Sequence, residues 1–151
     1  LAQCDVDTYR ASGPGGQKRN KPSSAVRLRH GPSGLIVIAE ESRSQHDNKA
    51  KALQRLRRAL YWQLREPPGD PASIFAAEGR LPLTAKHPQF WPAAGLVLDM
   101  LAHHAAQVST VAENLQVSTA HVVDFLQVDP RVWQEANRLR VEWGQKPLKP
   151  S

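Results

Sequence analysis

Apolar and polar positions alternate along AVRLRH, where Val26 and Leu28 are interleaved with Arg27 and Arg29. A period of two places successive side chains on opposite faces of a strand, so Ala25–His30 is predicted as a half-buried strand with a basic outer face. GPSG (Gly31–Gly34) reads as a hairpin connection, and LIVIAE (Leu35–Glu40) as the returning strand. Upstream, CDVDTYR (Cys4–Arg10) reads as a short strand with Val6 and Tyr9 turned inward and Cys4 packed. Past residue 47 the period changes. Leu53, Leu56, Leu60 and Leu64 recur at three- and four-residue spacing, which predicts a helix over Asn48–Leu64 with Asp47 or Asn48 as its N-cap. Lys49, Lys51, Arg55, Arg57 and Arg58 occupy its other faces, and the prolines of REPPGDP (Arg65–Pro71) stop it.

Residues 65–90 hold five of the 12 prolines and read as a linker. Helical patterns come next. WPAAGLVLDMLAHHA is an apolar helix, and STVAENL (Ser109–Leu115) and STAHVVDFL (Ser118–Leu126) each open on a Ser/Thr capping signal. DPRVWQEANRLRVEW (Asp129–Trp143) carries proline at its first turn, and the tail GQKPLKPS is expected to fray. Trp91, Trp133 and Trp143 are expected in the core of this part. The fold class predicted is α+β, a small antiparallel sheet with a packed helix followed by an all-α helical unit. The division expected is 1-65, a proline-rich linker at 66-90, and a helical domain at 91-151.

Charge changes this picture. The chain carries 20 Lys+Arg and 14 Asp+Glu, a formal net charge of +6. Residues 1–80 hold 14 basic and 8 acidic residues, a net of +6, whereas residues 81–151 hold 6 and 6. The excess positive charge therefore belongs to the sheet-forming half, as a polyanionic partner would require. Cys4 is the single cysteine, so no intrachain disulfide is expected and a reducing compartment fits best. No apolar run is long enough to span a membrane, and no secretory signal opens the sequence. Because the chain begins at Leu1, already in strand-like sequence, a trimmed N-terminus is expected. The location expected is cytoplasmic, or an organellar matrix if a transit peptide has been lost, and the state expected is monomeric.

The candidate chemistry lies between the first two strands. SGPGGQKRNK sets Gln17 on a run of glycines with Lys18, Arg19 and Lys21 behind it. The order of a Walker A loop and the G-x-G-x-x-G fingerprint are both absent. A carboxamide does not titrate near neutrality, and no Asp, Glu or His lies in the loop, so ordinary acid–base or nucleophilic catalysis is not expected of it. What remains is positioning. A main-chain N–H can stabilise a developing oxyanion. Gly15 and Gly16, lacking Cβ, allow close approach to another surface. Such a loop needs the rest of its active site from elsewhere.

RASGPGGQKRNK, the adjoining SSAVRLRHGPSGLIVIAEESRSQHDNKAKAL and its R-S-Q-x-x-N-(K/R) connector resemble the catalytic Gly-Gly-Gln domain of class I peptide chain release factors and their ribosome-rescue relatives. The resemblance covers roughly residues 4–64. It implies entry of the loop into the peptidyl transferase centre of the large ribosomal subunit, where water attacks the ester joining peptide to tRNA. Carried over, Gly15 and Gly16 would shape the loop. The Gln17 main-chain N–H would stabilise the transition state or the leaving 3′ hydroxyl, and its side chain would place water. Gln17 would also be a candidate for methylation by a glutamine methyltransferase. Ribosomal RNA would supply the missing half of the site, and no cofactor or metal is implied.

The basic residues then gain a location as RNA-binding candidates: Lys18, Arg19 and Lys21 at the loop, Arg27 and Arg29 on the strand, and Arg43, Gln45, His46, Lys49 and Lys51 at the connector and helix start. Nothing in the sequence resembles a codon-reading β domain, so codon-independent rescue of stalled ribosomes is expected. The alternatives are a stop-codon-dependent release factor fragment and a non-catalytic ribosomal RNA-binding protein. The helical part falls outside the resemblance. STVAENLQVSTAHVVDFL has the look of a helix-turn-helix, but Thr119, His121 and Asp124 are poor phosphate ligands, so packing rather than DNA reading is expected of it. His103 and His104 point about 100° apart on a helix and are not expected to share a metal ion.

Overall fold

The alternation of AVRLRH forms the middle strand of the sheet. The computed structural model describes residues 2–10, 24–72 and 79–151. Strands β1 (Cys4–Tyr9), β2 (Ala25–His30) and β3 (Ile36–Ala39) form an antiparallel sheet in the order β1-β2-β3. The register pairs Val6 with Leu28 and Tyr9 with Ala25 on one side of β2, and Leu28 with Val37 and Val26 with Ala39 on the other. The hairpin between β2 and β3 closes through the Gly34 N–H to the His30 carbonyl at 2.7 Å, with Gly34 at φ +73°, a conformation that favours glycine.

Helix α1 (Gln45–Gln63) starts three residues earlier than the leucine spacing predicts. Its first turn is capped by Ser44, whose Oγ accepts the Asp47 N–H at 3.2 Å, and not by Asp47 or Asn48. The buried line along α1 is Asn48, Ala52, Leu56 and Ala59, with Leu53, Leu60 and Leu64 only half-buried. Ala52 joins Val26, Leu28 and Ala39 in a small core, with Val37 and Leu53 at its margin. Ala39 and Ala52 contribute small, fully buried side chains to that core. Tyr9 and Val6 do not share a face, because residues three apart in a strand point opposite ways. Val6 lies opposite buried Leu28 but remains 41 % exposed on the edge strand.

The chain divides into two compact units, Leu1–Leu60 and Tyr61–Ser151. The second contains α2 (Phe90–His103), α3 (Val108–Leu115), α4 (Thr119–Leu126) and α5 (Pro130–Glu142). No helix among the described residues is long and apolar enough to cross a membrane. Ser118 caps α4, accepting the His121 N–H at 3.0 Å, and Asp129 caps α5 ahead of Pro130. Helix α3, by contrast, begins at Val108 without a side-chain cap, so Ser109 lies inside it. Gln116 takes a left-handed conformation and lets the Val117 N–H reach the Ala112 carbonyl at 3.0 Å, which turns the chain from α3 into α4.

The core of this unit centres on Phe90 and Phe125, both fully buried with ring centroids 5.2 Å apart. Trp91 meets Phe90 edge-on, and the Arg131 guanidinium lies 5.0 Å from the Trp91 ring centroid. Trp133 packs at the margin of this core, but Trp143, expected inside, is 53 % exposed beyond the last turn of α5. The segment expected to fray is held instead. Leu148 N–H donates to Asn137 Oδ1 at 2.7 Å, Ser151 Oγ to Asp124 at 2.8 Å, and Arg140 Nε to the Lys146 carbonyl at 2.8 Å.

Candidate functional site

The glycine-rich segment leaves the end of β1 and returns at the start of β2. Gly15, Gly16, Gln17, Lys18, Arg19 and Lys21 lie outside the described residues. Its two stems do not. Tyr9 and Ala25 are paired across the sheet, and Ala25 is fully buried. Just before it stands Ser24, also buried.

Ser24 is met by Asn48, the asparagine of R-S-Q-x-x-N. Asn48 is fully buried, and its Nδ2 donates to the Ser24 carbonyl at 2.7 Å and to the Ser42 carbonyl at 2.8 Å. Its Oδ1 accepts the Ser42 N–H at 3.0 Å. One carboxamide thus satisfies three main-chain groups from two separate segments. Asn48 is thus a buried clasp and not the helix cap its position suggests; the signal that marks it is its place in the first turn of a helix whose buried line continues through Ala52 and Leu56. The connector is also gripped from the other side. Arg55 donates to the Ile38 carbonyl at 2.6 Å and, through both terminal nitrogens, to the Glu41 carboxylate at 2.8 and 2.7 Å. The hydrogen bond from Arg55 holds Glu41 below the usual carboxylate range.

The sequence-predicted cations fall into two groups. Arg27 and Arg29 lie on the sheet face turned away from α1, beside exposed Ile36 and Ile38. Arg27 is engaged there by Asp7 at 2.6 Å, a bond that raises its pKa further. Arg43, Gln45, His46 and Lys49 are exposed at the connector and first turn of α1, the end of the unit to which Ser24 is tied. Lys51 lies 3.9 Å from Glu41 in the same region.

The second unit has its own buried charges. Arg65 and Asp99 form an ion pair at 3.2 Å with side chains only 17 % and 15 % exposed. Burial pushes Asp99 from its ordinary 3.8 up to about 6, outweighing the Glu66 N–H and the nearby guanidinium. The same burial lowers Arg65. An acid whose pKa rises on folding holds its proton more firmly in the native state. Its stabilising contribution is therefore complete below the unfolded value and is lost as pH rises through about 6. Relative to Asp99→Asn, the wild type is expected to lose on the order of 2 kcal/mol of unfolding free energy between pH 4 and pH 7. Chemical denaturation across that range checks this; a difference independent of pH would contradict it. Among the described residues no group of three or more His, Cys, Asp or Glu is placed to hold a metal ion. His121 is half-buried and accepts the Leu81 N–H at 2.9 Å through Nε2.

Residues 2–73 match the family model described as the RF-1 domain. The chain is 56% identical over 61 residues to peptide chain release factor 1 of Acetivibrio thermocellus, a stretch covering 40% of this chain and 17% of that protein. Against peptide chain release factor 1 of Novosphingobium aromaticivorans the identity is 59% over 61 residues, with the same coverage of 40% and 17%. Against peptide chain release factor 2 of Bordetella pertussis it is 55% over 60 residues, 40% of this chain and 16% of that one. The matched stretch therefore spans about a sixth of the length of these relatives.

Proposed function

We propose, since residues 2–73 match the RF-1 domain and resemble peptide chain release factors 1 and 2, that the chain hydrolyses the ester joining a nascent peptide to tRNA on the ribosome, and does so without reading a codon. The observation that carries this reading is Gly15-Gly16-Gln17 standing in sequence between the first two strands of the matched stretch. Residues 1–65 are the catalytic domain in this reading, and residues 91–151, joined by the 66–90 linker, a helical accessory domain.

The loop contributes geometry and a donor. Gly15 and Gly16 let the main chain approach the scissile ester, and the Gln17 N–H meets the oxygen on which charge develops. The Gln17 carboxamide orients the attacking water and is a candidate site of methylation. Ribosomal RNA of the large subunit and the peptidyl-tRNA itself complete the site. Lys18, Arg19, Lys21, Arg29, Arg43, Gln45, His46, Lys49 and Lys51 hold the phosphate backbone, giving affinity without sequence reading. In this proposal the C-terminal half is given no codon-reading role. Residues 81–151 are charge-balanced, and their described elements are all helical.

Peptide release from ribosomes stalled on a truncated message, compared with ribosomes holding a stop or a sense codon in the decoding site, tests the proposal. Release is expected on the truncated message, with no acceleration by a stop codon. No release on any complex would overturn the hydrolytic reading, and release confined to stop codons would replace rescue by termination.

A further inference from the structure

Asn48 joins the segment carrying Gly15-Gly16-Gln17 to the rest of its unit. Ser24 is the residue through which that segment enters β2, and its carbonyl accepts the Asn48 Nδ2 at 2.7 Å. The other Nδ2 hydrogen and the Oδ1 close a two-bond ring with the Ser42 main chain, at 2.8 and 3.0 Å. Ser42 is itself fixed. Its Oγ accepts the Ser44 N–H at 3.0 Å, and Arg55 anchors the neighbouring Glu41 and Ile38. The stem is thus referred to the helix through a series of bonds to the main chain. No link in that series depends on a long, exposed side chain finding its partner at Ser24.

We propose that Asn48 is a positioning residue for peptide release: by clasping Ser24 to Ser42 it fixes the point at which the chain carrying Gly15-Gly16-Gln17 enters β2. This rests on the release reading above. The chemistry explains why a carboxamide of this length is needed. The position demands two donors and one acceptor on a single planar group. Aspartate offers acceptors only and would set a negative charge against two carbonyl oxygens. Serine offers one donor, and glutamine adds a methylene where no residue surface is exposed. A displacement of about 1 Å at a reacting group can cost ~10²-fold in rate, so a loosened stem is felt at the chemistry even with the loop sequence intact.

The test uses the full chain with Asn48→Ser, the harsher Asn48→Asp, and Leu56→Ala as a control that destabilises the same unit without touching Ser24. Peptide release measured against protein concentration separates kcat from KM. Amide exchange over residues 24–28 and 42–48 reports the clasp directly. Both Asn48 variants are expected to lower kcat by about tenfold or more with KM within about threefold, while Leu56→Ala keeps kcat within about threefold at an equal or larger loss of Tm. Exchange at residues 24–28 is expected to accelerate in Asn48→Ser beyond its level in the control. If the Asn48 variants release peptide as the control does, the positioning role is overturned. If exchange over residues 24–28 is unchanged, the clasp itself is overturned. A wild type that releases nothing overturns the release reading and with it the role in release, and the exchange measurement then judges the clasp alone.

Discussion

Replacing Gln17 by proline is expected to lower peptide release by ~10²–10³-fold, the size of effect seen when one oxyanion donor is removed. Proline has no main-chain N–H. If the residue-17 amide meets the developing charge, Gln17→Pro removes the donor itself. Gln17→Ala keeps that donor and removes only the carboxamide that orients water, so its loss is expected to be much smaller. The preceding residue is glycine, which tolerates the restriction that proline imposes on its neighbour. Single-turnover release at saturating protein, with ribosome binding measured separately, distinguishes the two variants. Equal losses for alanine and proline would assign the chemistry to the side chain and overturn the role given to the main chain.

Phe125→Ala is expected to destabilise the helical unit by about 3–5 kcal/mol. Phe125 is fully buried, and its ring lies 5.2 Å from that of Phe90 at a tilt of 44°. Phe90 in turn meets Trp91 at 5.1 Å, nearly perpendicular. Removing the Phe125 ring leaves a hole beside Phe90, which is itself packed against Trp91. The rigid rings beside it cannot collapse into it as an aliphatic chain would, which favours the upper part of the range. Urea unfolding followed by amide exchange within residues 90–139 reads this unit by itself. A loss below about 1 kcal/mol would mean that the aromatic cluster repacks and is not the centre of the core.

The features most legible in the sequence are those in which one residue type carries one message. Val26 and Leu28 alternate with arginines because β2 has a buried and an exposed face. Ser118 and the Asp129-Pro130 pair mark helix starts because their chemistry suits little else there. Reading fails where a polar residue is recruited inward. Asn48 looks like a cap, and its burial is made favourable by Ser42 and by Ser24, a partner 24 positions away. Leucines on α1 outrank alanines on a hydropathy scale, yet it is Ala52 that is fully buried with Val26, Leu28 and Ala39, and Leu53 stays at the margin. The segment around Lys146–Ser151 looks like a frayed end, but Asn137, Gln127 and Asp124 offer hydrogen bonds that local sequence does not reveal. In the Gly-Gly-Gln segment the residues themselves indicate a positioning loop without an acid or base, since they offer a main-chain amide, a carboxamide and little else. The ribosomal partner comes only from the resemblance, because half of such a site lies on another molecule.

The bond between Arg27 and Asp7 also bears on ionic strength. A cation that neutralises a nucleic-acid phosphate displaces a condensed counterion, and each such contact steepens the fall of log affinity with log salt by about 0.7–0.9. A guanidinium held 2.6 Å from a carboxylate arrives as a dipole with no net charge to lend. While that bond holds, it would meet a phosphate without displacing a counterion. In the proposed complex with the ribosome, the salt dependence would therefore be set by Arg29 and the cations of the loop and the connector, and would be shallower than a count that includes Arg27 implies.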